Sequence, residues 1–154
     1  MQNSFRTKTF VSYCHSDAKY LKRLRVHLAS FGRDGLLDVW DDMEISPGEL
    51  WQEEINKALL CARVAILLVS ADFLASGFIT SIELPSLLAA SQSDDAVILP
   101  VILSPCSFAD SELSRFQAVN NPSKPLTSMN FNDKEMVWVR VAETVKNVMR
   151  TIKC

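Results

Sequence analysis

Hydrophobic positions along the chain switch between a period of two and a period near 3.6, and the switches predict its elements. Thr9–Tyr13 is a short β-branched and aromatic run, the first expected strand. After a polar break at Cys14–Asp17, Tyr20, Leu21, Leu24, Leu28 and Phe31 share one stripe, with Lys19, Lys22, Arg23 and Arg25 largely off it. That is an amphipathic helix, which Ser16 or Asp17 can cap at its start and Gly32 can end. Leu36–Trp40 is expected as the second strand, and Asp41–Leu50 as an acid-rich loop. Within that loop Ser46 and Glu49 have capping-box spacing, and Pro47 suits a first helical position. The helix that follows places Trp51, Ile55, Ala58, Leu59 and Ala62 on one stripe. Val64–Val69 and Ala96–Leu103 are continuous apolar runs, as expected of strands buried on both faces of a parallel sheet. Pro100 lacks a ladder donor and predicts a bulge or strand end. A weaker final strand is expected at Leu126–Phe131. The last helix carries Trp138, Val141, Val145, Val148 and Ile152 on one face, with Asn132 and Glu135 spaced as a capping box.

Strands alternating with helices predict an α/β fold. We expect a flavodoxin-like three-layer sandwich, with a five-stranded parallel sheet in the order 2-1-3-4-5 and helices on both faces. The 154 residues make one domain, with a core spanning about 8–150. It can also be one part of a longer multidomain protein. Ligands of such sheets sit beyond the carboxyl ends of the strands, near the topological switch point. The loops expected there are Cys14–Asp17, Asp41–Leu50, Ser70–Ser76 and Ser104–Asn121.

Composition narrows the class. No apolar run approaches the roughly 18 residues of a membrane span, and the N-terminus lacks a secretory h-region, so no membrane association is expected. Cys14, Cys61, Cys106 and Cys154 are scattered without a CxxC pair, the pattern of reduced thiols in a cytoplasmic protein rather than of a metal site. The net charge of −2 argues against nucleic acid as a partner. The charge is nonetheless uneven. Residues 1–33 hold seven Lys/Arg and one acid, whereas residues 34–54 hold eight acids and no Lys/Arg. Such halves suit a head-to-tail contact between copies, which builds open filaments; two ordinary solvated faces are the alternative.

Four glycines exclude both GxGxxG and a Walker loop, and there is no GxSxG elbow. A phosphate-receiver site would need an acidic pair after strand one, where Tyr13-Cys14-His15 stands instead. His27, near the apolar stripe of its helix, is expected as a packed residue. What stands out is Glu83, a carboxylate between Ile82 and Leu84 with Pro85 beyond, in the stretch that follows the apolar run ending at Val69. Cleavage of an N-glycosidic bond with a neutral leaving group needs a negative charge beside an oxocarbenium-like centre, which one such carboxylate supplies. A carboxylate after Thr80 or Ser81 can equally be a helix-start charge, stabilising by ~0.3–1 kcal/mol. The residues by themselves leave both readings open.

Five segments, in order, give the chain a resemblance to the TIR (Toll/interleukin receptor) domains, of the type found in bacterial proteins. They are Phe10-Val11-Ser12-Tyr13, the segment from Trp40-Asp41-Asp42 through Ile45-Ser46-Pro47-Gly48 to Trp51 (the BB loop), Leu67 through Phe73, Glu83-Leu84-Pro85, and Leu99 through Leu103. The resemblance runs from about Lys8 to about Met149 and implies the flavodoxin-like fold. It also implies one of two activities. Many TIR domains cleave NAD+ to nicotinamide and ADP-ribose or a cyclic isomer, using a glutamate at the position of Glu83. Others are non-catalytic adaptors that associate with one another through the BB loop.

For a cleaving member, the resemblance implies Glu83 as the catalytic residue. It implies a substrate cleft of Tyr13, Cys14, His15, Asp41, Ser46, Gly48, Leu50, Ser76, Phe78 and Ile79. Ile79 stands where several NAD+-cleaving relatives have Trp, which favours hydrolysis over cyclisation. NAD+ is then substrate, with no cofactor or metal. Homotypic self-association is expected through Asp42, Met43, Glu44, Ile45 and Pro47 of the BB loop and Lys19, Lys22 and Arg23 of the basic helix.

Overall fold

The computed structural model describes residues 6–32, 39–40, 51–76, 84–93 and 96–150. Four parallel strands form the described sheet: β1 (Lys8–Ser12), β2 (Val39–Trp40), β3 (Ala62–Val69) and β4 (Val97–Ile102), in the order β2-β1-β3-β4. Helix α1 (Ala18–Gly32) follows β1, and α2 (Trp51–Cys61) leads into β3. After β3 come the short α3 (Ala71–Ala75) and α4 (Leu84–Gln92). The chain ends its described course in the 20-residue α5 (Phe131–Arg150).

Side-chain alternation along β3 divides the core in two. Val64, Ile66 and Leu68 face α1 and α5, where they meet Leu21, Leu24, Leu28, Trp138, Val141 and Val145. Ala65, Leu67 and Val69 face the other layer, with Ile55 and Leu59 of α2, Phe73 of α3 and Leu87 of α4. Helices therefore cover both faces of the described sheet. Arg6 closes the corner between α2 and β3, donating from Nη1 to the carbonyls of Leu59 and Ala62 at 3.1 and 3.0 Å. A cation there meets the negative end of the helix.

Two expectations about strands need correction. Pro100 causes neither a bulge nor an end: β4 continues to Ile102, with Pro100 in register opposite Leu67. The Pro100 carbonyl accepts from the Val119 N–H at 2.8 Å, on the side away from β3. The N–H and C=O of a strand residue point to the same side, so the missing donor also falls outside the β3–β4 ladder.

The fifth strand expected at Leu126–Phe131 is absent. Leu126–Ser128 is a 3-10 turn after Pro125, and α5 begins at Phe131. The cause is local capping. Asn130 Oδ1 accepts from the Asp133 N–H at 2.8 Å, so Asn130 rather than Asn132 starts the helix and draws the chain out of extended geometry. The edge of β4 is instead served by single contacts. Asn120 Oδ1 accepts from the Ile102 N–H at 2.9 Å, and Asn120 Nδ2 donates to the Ile102 carbonyl at 3.0 Å and to the Lys124 carbonyl at 3.1 Å. Thr127 N–H reaches the Leu103 carbonyl at 3.0 Å. One buried carboxamide thus stands in for a stretch of neighbouring strand.

Glu135, freed from capping, ties α5 to α1. It accepts from Arg23 Nε at 2.8 Å and from Arg23 Nη2, and His27 Nε2 lies 3.0 Å from its Oε1. His27 is thus half-buried, with its ring in polar contact with Glu135. The Arg23 hydrogen bonds hold the Glu135 carboxyl at about 2, below its ordinary 4.5; partial desolvation opposes the shift and His27 aids it.

Asn120→Ala leaves the Ile102 N–H and carbonyl without their partner. It is expected to lower unfolding stability by about 1–3 kcal/mol, read as a lower urea midpoint at unchanged slope. An unaltered midpoint would show that the edge needs no such surrogate. Because the folded Glu135 has the lower pKa, its contribution is present above 4.5 and drains away as pH falls towards about 2. Glu135→Gln should flatten the decline of stability over that window; a variant with the wild-type acid profile contradicts the assignment.

Candidate functional site

The switch point of the described sheet lies between β1 and β3. The two strands are neighbours, with Ser12 paired opposite Leu67, yet the helices that follow them cover opposite faces. Their carboxyl ends consequently open side by side, which in an open parallel sheet is where a ligand has room.

From β1 the chain passes through Tyr13 and Cys14 into a 3-10 turn at His15–Asp17, closed by the Asp17 N–H donating to the Cys14 carbonyl at 2.8 Å. Tyr13 is buried, Cys14 half-buried and His15 exposed. The Tyr13 and His15 rings lie 5.8 Å apart, tilted by 49°. From β3 the chain enters α3, whose N-cap is Ser70: its Oγ accepts from the Phe73 N–H at 3.1 Å. Ser76, half-buried, ends α3, with its N–H on the Phe73 carbonyl at 3.2 Å.

The two exits are joined by a pair of side-chain bonds that run in opposite directions. Ser70 Oγ donates to Asp17 Oδ2 at 2.6 Å, and Ser16 Oγ donates to Asp72 Oδ2 at 3.0 Å. Ser16 and Asp17, expected to cap α1, thus send their side chains to the loop after β3. Pattern reading could find Ser70 as a helix cap. It had no means of finding Asp17 as its partner, 53 positions away.

Among the expected cleft residues, Tyr13, Cys14, His15 and Ser76 all come to these two exits. Asp41, Ser46, Gly48, Leu50, Phe78, Ile79 and Glu83 lie outside the described residues, as do Asp42, Met43, Glu44, Ile45 and Pro47 of the BB loop. On the basic helix, Lys19 and Lys22 are exposed, with Lys19 Nζ 5.2 Å from the Tyr20 ring centroid. Arg23 is exposed as well, but its guanidinium is engaged by Glu135 and stands 5.9 Å from the Phe131 ring centroid.

A cavity of about 560 Å³ is lined by Leu74, Leu84, Pro85, Leu88 and Leu113 with Ser107, Asp110, Ser111 and Glu112. None of Tyr13, Cys14, His15 or Ser76 lines it. That cavity also carries carboxylates and hydroxyls, but the exits of β1 and β3 hold the switch-point position, where ligands of open parallel sheets bind. On that topological ground the exits are the candidate site.

Among known families, residues 9–135 match the TIR domain. The chain is 30% identical over 137 residues to y4lF, an uncharacterised protein of Sinorhizobium fredii (strain NBRC 101917 / NGR234). That match covers 89% of this chain and 42% of y4lF, so the chain spans less than half of that relative's length. Among solved structures, it is similar to the TIR domains in the activated Roq1 resistosome directly recognising the pathogen effector XopQ. The TM-score is 0.57 at 18% identity, over 94% of this chain and 84% of that one, a likeness of fold.

Proposed function

Because the chain belongs to the TIR-domain family, by its match over residues 9–135, we propose that it is an NAD+ glycohydrolase with Glu83 as its catalytic residue. The observation that supports this reading is the switch point between β1 and β3, after which α3 and then, in the sequence, Glu83 follow. The family places a catalytic glutamate at that position in its NAD+-cleaving members.

In this reading the nicotinamide–ribose bond breaks with its electron pair leaving on the nicotinamide nitrogen, so the departing group is neutral. The Glu83 carboxylate balances the positive charge that grows on the ribose. Water then adds at the anomeric carbon and loses a proton, giving ADP-ribose. Cys14, His15 and Ser76 would form the described part of the cleft wall, with Tyr13 packed behind them in the core. Ile79, in place of a tryptophan, favours hydrolysis over a cyclic product.

Self-association belongs to the same proposal. The Lys19–Lys22 face of α1 and the acidic segment 34–54 would meet between copies, and charge complementarity would set their register. The domain would serve as the cytoplasmic effector part of a longer immune or signalling protein, in keeping with the length of y4lF.

The test is nicotinamide release from NAD+ by the wild type and Glu83→Gln, each free and clustered on a multivalent support. We expect release by the clustered wild type and a loss of at least about 100-fold in the variant. Equal rates would remove Glu83 from the chemistry. No release from either, with assembly retained, would leave a non-catalytic interaction module.

A further inference from the structure

We propose that Asp17 and Ser70 act as one positioning device for the cleavage described above, on which reading this inference rests. Ser70 is buried and its hydroxyl is used twice: Oγ accepts from the Phe73 N–H at 3.1 Å and donates to Asp17 Oδ2 at 2.6 Å. One atom therefore fixes the first turn of α3 and couples it to the turn that leaves β1. A hydrogen bond to an ionised acceptor is shorter and stronger than a neutral one, and water has little access to compete at a buried donor.

The second contact, from Ser16 Oγ to Asp72 Oδ2 at 3.0 Å, is exposed and runs the other way. Two bonds between the same two loops remove the rotation that a single bond would leave. Asp17 is also bound by its own backbone, through its N–H on the Cys14 carbonyl. The carboxylate is thus anchored to the segment that carries Tyr13, Cys14 and His15, and Ser70 to the segment that ends at Ser76. The device sets the separation of the two described walls of the cleft. It contributes through that separation, without contact between Asp17 or Ser70 and the substrate. Misplacement of positioning groups by about 1 Å can lower a rate by about two orders of magnitude.

This coupling is separable from stability. Asp17→Ala removes the acceptor but leaves Ser70 as the cap of α3. Ser70→Ala removes the cap and the donor together. Asp17→Asn keeps one acceptor oxygen for the Ser70 hydroxyl while losing the charge and exchanging the other oxygen for an NH2 donor.

Steady-state NAD+ cleavage by clustered wild type, Asp17→Ala, Ser70→Ala, the double variant and Asp17→Asn should be measured well below each unfolding midpoint. We expect each alanine variant to lose about tenfold or more in kcat/KM while remaining folded. The double variant should fall by less than the product of the two single losses, because both remove one device. Asp17→Asn should recover most of the Asp17→Ala loss. A folded, active Asp17→Ala with wild-type kcat and KM overturns the positioning role alone, as does a double variant whose loss is the product of the singles. A wild type that releases no nicotinamide overturns the cleavage reading, and this role with it.

Discussion

Every side chain of β3 from Val64 to Val69 is buried, and both helical layers are built against that one strand. It pairs with β1 on one side and β4 on the other, and alternate residues supply two separate cores. A slip of one residue would exchange the two faces. The register is consequently fixed by packing, and with it the place where the chain leaves the sheet. Because Ser12 lies opposite Leu67, the exits of β1 and β3 stand next to one another. The helices that follow them, α1 and α3, take opposite faces, which makes this the switch point of the described sheet.

Three polar groups finish what the apolar core leaves undone, each at a backbone terminus or edge. Asn120 supplies hydrogen bonds to the outer edge of β4. Ser70 satisfies the first turn of α3 and ties it to Asp17. Arg6 meets the carbonyls where α2 turns into β3. The ion pair between Arg23 and Glu135 differs in kind. It joins two helices at the surface, so its strength depends on pH and salt.

Most elements were legible from periodicity, because burial on one or two faces leaves a regular mark. The stripe Leu21–Leu24–Leu28, the run Val64–Val69 and the face Trp138–Val141–Val145 all occupy the core positions their spacing predicts. Legibility failed where one side chain decided the outcome. Leu126–Phe131 has strand-like composition, but the Asn130 cap turns it towards a helix. Pro100 breaks ladders in general, yet its carbonyl and ring nitrogen face away from β3. Glu135 has the spacing of a capping residue and is used instead by α1, 112 positions away from Arg23. The candidate site was readable as far as its loops. Tyr13, Cys14 and His15 were legible as residues that follow a strand; Ser76 was expected in a loop and ends α3, while the Asp17–Ser70 and Ser16–Asp72 pairs depend on two distant segments meeting.

The proposed place for NAD+ is the switch point between β1 and β3. Titrating NAD+ into isotope-labelled Glu83→Gln and following backbone amides tests this without requiring turnover. We expect the amides of Cys14–Asp17 and Ala71–Ser76 to shift together and to saturate with one dissociation constant. Leu113 and Ser111, at the cavity beside α4, should stay in place. Saturable shifts confined to that cavity, with the two strand exits silent, would place NAD+ elsewhere and contradict a site at the β1–β3 switch point.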